Sequence, residues 1–251
     1  MNALVIAGAV VIGLTLGLTG AGGSIVTLPV LVYLGGIAPG DAVPLSLFVV
    51  GAAALTGALH RWRRGEICLP SSAVFALSGM AGAALGANFT PLVGPLVLMI
   101  IFAFLMLVVA VFMMLPRKNP APESNPSEQP PPSLLSRALA GGTVGVLTGF
   151  IGVGGGFLLV PALLKFGRLD LRQALGTSLA IIFFNCLAGF LSHLGTTEID
   201  WTIALLFSSL ASLGVLGGTR LAGLIPPHRL RQGFALMVML TGLYVLWSSL
   251  R

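Results

Sequence analysis

Gly17-Leu18-Thr19-Gly20-Ala21-Gly22-Gly23-Ser24 lies inside a run that carries no charge from residue 1 to residue 40. A second copy, Gly149-Phe150-Ile151-Gly152-Val153-Gly154-Gly155-Gly156, follows 132 residues later. Glycine in a helix interior costs about 1 kcal/mol relative to alanine. Several of them packed into an apolar run are expected to break a helix that could otherwise cross a membrane. The rest of the chain is read outward from these two breaks.

The surroundings are lipid-like in composition. The 251 residues are 56% hydrophobic and 8% charged, where a soluble domain carries roughly 25% charged residues. A net charge of +6 would suggest nucleic acid in a soluble protein, but here the basic residues sit between apolar runs. Lys and Arg on the cytoplasmic flanks of spans account for that pattern, so no nucleic-acid partner is expected. Nothing at the N-terminus reads as a cleaved signal, because no basic stretch precedes the first apolar run. Cys68 and Cys186 have no metal-ligand spacing and are expected to pack as small hydrophobes. No nucleophile–base or paired-carboxylate arrangement is present, so neither enzymatic catalysis nor a cofactor is expected.

Apolar segments cover residues 3–36, 42–59, 69–89 and 92–115, and then 134–166, 174–194, 201–224 and 233–250. Most are long enough for a helix to cross about 30 Å of hydrocarbon. Between the two sets, residues 116–133 hold seven prolines in eighteen positions and read as an extended linker. The expected organisation is therefore a first membrane repeat at 1–115, a linker at 116–133 and a second repeat at 134–251. The two sets align without a gap at an offset of 132 from Gly13 to Ala103. Identities include Gly22/Gly154, Pro29/Pro161, Ala42/Ala174, Ser46/Ser178, Gly57/Gly189, Glu66/Glu198 and Gly82/Gly214. This is an internal duplication.

The charges discriminate between parallel and inverted repeats. If each first segment crosses once, the thirteen basic residues divide seven to six across the membrane. If instead each glycine break turns the chain back on itself, twelve fall on one side and only Arg251 on the other. The positive-inside rule selects the second arrangement. The expected fold is an all-α polytopic membrane protein of two inverted repeats. Each repeat is a glycine-broken helical hairpin, spanning or re-entrant, followed by three transmembrane helices, and both termini are expected outside the cytoplasm.

Broken helices at corresponding positions of two halves are the sequence pointer to a transporter site. A helix restarting after a glycine cluster offers free N–H groups and a positive dipole end to an anion. Candidate substrate-binding residues are Thr19, Gly20, Gly22, Gly23 and Ser24 in the first cluster. Gly152, Gly154, Gly155 and Gly156 supply the second. Ser46, Thr177, Ser178 and Asn185 are polar positions within the following spans, and His193 is the candidate for carrying a coupled proton. The four-residue glycine pairs Gly13/Gly17, Gly82/Gly86, Gly145/Gly149 and Gly214/Gly218 are expected to serve close helix packing. Arg61, Arg63 and Arg64 read as topology signals and lipid-headgroup contacts.

On the duplicated segments 17–29 and 149–161 the chain resembles the sulfite exporter family TauE/SafE. The stretches Ala42-Val43-Pro44-Leu45-Ser46-Leu47 and Ala174-Leu175-Gly176-Thr177-Ser178-Leu179 carry the resemblance further. It implies a multi-pass inner-membrane permease for small anions such as sulfite or organosulfonates, driven by the proton gradient. It leaves the substrate open. The same glycine loops would also suit a passive anion channel, and a non-transporting membrane accessory protein is the third reading. The bilayer and a small anion are the expected partners, with a homo-oligomer possible.

Overall fold

The computed structural model describes residues 3–20, 22–114, 133–151, 156–193 and 200–249, and among them every regular element is helical. The Pro-rich stretch other than Ser133, and Gly152, Gly154 and Gly155 of the second cluster, lie outside the described residues. Ten α-helices follow in order. The first five are α1 (Ala3–Thr19), α2 (Gly22–Pro29), α3 (Pro39–Trp62), α4 (Leu69–Ala87) and α5 (Pro95–Met114). The remainder are α6 (Leu134–Ile151), α7 (Gly156–Phe166), α8 (Leu171–His193), α9 (Trp201–Ala222) and α10 (Pro227–Ser249). Helices α3, α4 and α5 start at 39, 69 and 95, and α8, α9 and α10 start 132 residues later at 171, 201 and 227.

Local chemistry sets the ends. Asp200 caps α9, its Oδ1 accepting from the N–H groups of Thr202 and Ile203 at 2.9 and 3.1 Å. Asp170 accepts from the N–H of Gln173 at 2.7 Å in the first turn of α8. Proline, whose missing N–H is harmless in a first turn, opens α3 and stands near the start of α4. Inside α2, Pro29 removes a ladder donor, and the chain continues as a π-helical turn, Val30–Leu34.

Four described helices, α3, α6, α8 and α9, are long and apolar enough to cross a membrane, and five shorter apolar helices accompany them. Their outer faces carry Leu77, Leu85, Phe104, Leu205, Leu213 and Leu240, all more than half exposed. Water would penalise such a surface, whereas lipid tails are its natural solvent.

Glycine governs the closest approaches. A β-carbon on Gly13 or Gly17 of α1 would land on the carbonyl oxygen of Ala211 or Val215 of α9. One on Gly214 or Gly218 would meet Val10 or Leu14 in return. The same reciprocity joins α4 to α6: Gly82 and Gly86 abut Gly142 and Val146, while Gly145 and Gly149 abut Gly79 and Ala83. In both pairs the contacts advance together along the two chains, so the helices run in the same direction. The expected packing role of these eight glycines is met in full.

Helices α3 and α8 behave differently. Gly51 abuts Cys186 and Gly189 abuts Leu47, so these two helices run in opposite directions. Gly23 of α2 abuts Ile12 and Leu16 of α1, and Gly8 of α1 abuts Val30 just beyond α2. The chain after Thr19 therefore travels back along α1.

Candidate functional site

The return of the chain at Gly20 is built from three residues. Gly20 has φ +67°, the left-handed region that costs other residues about 1–2 kcal/mol. A β-carbon there would also stand 2.8 Å from the carbonyl oxygen of Leu175 in α8. Thr19 finishes the turn: its Oγ1 donates to the carbonyl of Thr15 at 2.7 Å and accepts from the N–H of Gly22 at 2.6 Å. It thus caps the first turn of α2. Gly22, Gly23 and Ser24 are buried behind it.

Thr177 and Ser178, in the second turn of α8, face this tip. Ser178 Oγ lies 2.8 Å from the carbonyl oxygen of Gly20 and 3.0 Å from that of Leu175. Thr177 Oγ1 accepts from the N–H of Cys68 at 3.0 Å, so the second half caps the start of α4 in the first half. Both hydroxyls are fully buried and engaged with backbone.

Arg61 completes this cluster, and here the sequence reading is corrected. The boundary and lipid-headgroup role expected of Arg61, Arg63 and Arg64 fails for Arg61, because only Arg63 and Arg64 are exposed. The Arg61 side chain is buried. Its Nη1 pairs with Glu66 Oε2 at 2.7 Å and its Nη2 donates to the carbonyl of Gly17 at 3.1 Å. The first glycine tip therefore reaches the level of the C-terminal end of α3. One signal in the repeat pointed to Arg61: at the offset of 132 it corresponds to His193, and Glu66 to Glu198. Arg61 and His193 are both only 4% exposed, each in the last turn of its helix.

The candidate residues do not form one shell. Ser178, Asn185, Gly189 and His193 recur at intervals of seven, four and four and so share one face of α8. Along it, Ser178 meets the first tip, and Gly189 stands 3.7 Å, by its would-be β-carbon, from Gly149 at the end of α6. At 1.5 Å per residue those two points are about 16 Å apart. His193 Nδ1 lies 2.8 Å from the carbonyl oxygen of Gly189. Ser46 is buried on α3, donating to Val43 at 2.8 Å. Because α3 and α8 are antiparallel with Leu47 at Gly189, Ser46 lies near the far end of this face from Ser178. Gly156 opens α7 and is buried.

Asn185 lies between the two ends. It is fully buried, and neither its Oδ1 nor its Nδ2 has a hydrogen-bond partner among the described residues. The space in front of it exists because position 79 of α4 is glycine: a β-carbon there would come within 2.7 Å of Nδ2 and nearer still to Oδ1. Gly79 was not singled out by the sequence, since its repeat equivalent is Ala211 and no glycine pair marks it. Among the described residues no cluster of His, Cys, Asp or Glu could hold a metal ion.

The family model for the sulfite exporter TauE/SafE matches residues 5–245. The chain belongs to the TauE/SafE family. Its relatives include a "Probable membrane transporter protein" of Xylella fastidiosa (strain 9a5c), 34% identical over 95% of this chain and 92% of that protein. Another is "Probable membrane transporter protein YunE" of Bacillus subtilis (strain 168), 27% identical over 78% of this chain and 81% of that protein. No solved structure matches. This TauE/SafE protein is a multi-pass membrane transporter and not an enzyme.

Proposed function

We propose that this TauE/SafE protein carries small anions, sulfite or small organosulfonates and organic anions, across the inner membrane by alternating access. The observation that carries the reading is Asn185, whose carboxamide is buried with no partner among the described residues, at a cost of about 1–3 kcal/mol. Such a group is retained where a substrate or its water supplies the missing hydrogen bonds. Asn185 sits about 10 Å along α8 from Ser178, between the first glycine tip and the end of α6. An anion passing from one tip to the other meets it midway. The amide N–H groups at the starts of α2 and α7, with Thr19, Ser24, Thr177 and Ser178 at one end and Ser46 at the other, form the two lips of the path.

Support for inverted repeats comes from helix direction. Helix α2 returns along α1, the equivalent helices α3 and α8 are antiparallel, and α1 runs with α9 as α4 runs with α6. Two halves of opposite orientation satisfy all of these at once. The twelve-to-one division of basic residues then favours both termini outside the cytoplasm. Rocking of one half against the other exposes the Asn185 level to each side in turn.

His193 is proposed as the group that couples a proton. It occupies the position at which the first half holds the permanently charged Arg61. Protonating it gives the second half the charge that the first half always has.

The test is sulfite flux in proteoliposomes under an imposed pH gradient. Uphill accumulation abolished by a protonophore, and lost in Asn185→Leu, supports the proposal. Flux that only follows the sulfite gradient assigns a channel, and absence of flux with any anion of a small-anion panel removes the transport reading of this site.

A further inference from the structure

A second cavity lies away from the face of α8 that carries Asn185. It is an open groove of about 570 Å³ bounded by α5, α6 and α7. Val109 and Val144, Leu158, Pro161 and Ala162 make its walls apolar. Its polar liners are few and mostly self-satisfied. Ser136 donates to the carbonyl of Ser133, just before α6, at 2.8 Å, and Thr143 to that of Leu139 within α6 at 2.8 Å. Along α6 the lining runs from Ser136 to Val144, a depth of about 12 Å.

One charge stands at its mouth. Lys165, in the last turn of α7, lines the cavity at the end where α6 begins. It is exposed, rests 5.4 Å from the centre of the Phe166 ring, and has no acidic partner among the described residues. An apolar slot in a membrane protein with a lysine at its entrance matches a lipid that is apolar along its chain and anionic at its head.

We propose that the groove between α5, α6 and α7 binds one anionic phospholipid of the surrounding bilayer. An acyl chain fills the slot along Leu139, Val144 and Ala162, and the phosphate pairs with Lys165. The charge complementarity at Lys165 selects the occupant, because a zwitterionic lipid offers the same chain with an opposing cation beside the phosphate. This site is independent of the anion path proposed above, and its test uses no transported substrate.

The full chain is equilibrated in vesicles of equimolar phosphatidylglycerol and phosphatidylcholine with identical acyl chains, extracted in mild detergent and weighed by native mass spectrometry. The expected result is one retained phosphatidylglycerol in preference to phosphatidylcholine. Lys165→Gln is expected to lower that preference about fivefold, the loss of one lysine–headgroup attraction. Ala162→Leu, which fills the slot, is expected to lower retention of both lipids. Arg63→Gln, an exposed cation outside the groove, is expected to leave retention unchanged. Equal retention of the two lipids, an unaltered Lys165→Gln, or an equal loss in Arg63→Gln overturns the proposal. Lys165 is exposed, so its variant folds and keeps the test decisive where Ala162→Leu does not.

Discussion

Asn185 and Arg61 represent two ways of keeping polarity in an apolar core. Arg61 is partly compensated: a carboxylate on Nη1 and a carbonyl on Nη2 offset much of the cost of burying the guanidinium, while its Nε has no partner among the described residues. Removing one member of such a pair leaves the other charge buried, at about 3–5 kcal/mol. The Glu66 side chain is one-fifth exposed, which places Arg61→Gln towards the lower end of that range. The expected outcome is a melting temperature in detergent well below wild type. Much of the loss should be regained when Arg61→Leu and Glu66→Leu are combined. Asn185 is the opposite case. Because its amide has no partner among the described residues, Asn185→Leu is expected to hold or raise the melting temperature while losing anion transport by an order of magnitude or more. The sequence made Asn185 legible because a carboxamide stands out in an apolar run. Arg61 was obscured by its neighbours, since Arg61, Arg63 and Arg64 look alike in composition and only the fold separates the buried one from the exposed two.

Glycine acts on helices in two distinct ways. In the α1–α9 and α4–α6 pairs it lets backbones meet, and these positions were readable from four-residue spacing alone. Gly17→Val is expected to wedge α1 from α9, because its β-carbon would already collide with Val215, and overpacking of this kind costs about 1–3 kcal/mol. A contrasting substitution, Gly40→Ala near the start of α3, meets nothing within 4 Å and is expected to be neutral or slightly stabilising by thermal melt. At Gly20 glycine instead permits the left-handed turn that sends the chain back. Density of glycine marked that turn in the sequence, but its depth was not readable. Only the Arg61–Gly17 hydrogen bond sets the tip level with the end of α3 rather than at its middle. Spacing predicts which residues share a face of one helix; it carries no information about which helix lies opposite. That is why Ser46 and Ser178, equivalent in the repeat, fall at opposite ends of the path.

In the whole molecule, two halves exchange their glycine-faced helices, so neither half buries its packing surfaces alone. The proposed inverted repeats rest on the helix directions and on the charge count read from the sequence. A membrane-impermeant thiol reagent tests them in cells. With Cys68 and Cys186 removed, Asp41→Cys is expected to react from outside, and Gln173→Cys, at the equivalent position of the second half, only after the membrane is opened. The reverse pattern would invert the assigned orientation, and equal labelling from one side would refute the opposed halves. The transport claim itself rests on an anion reaching Asn185. Its most direct measurement is the melting temperature of the purified protein across a sulfite titration, for wild type and Asn185→Leu together. Binding stabilises by RT ln(1 + [L]/Kd), so wild type is expected to rise with concentration while the variant stays flat. Equal rises in both proteins, or no rise in wild type with sulfite or any other small anion, would contradict the account.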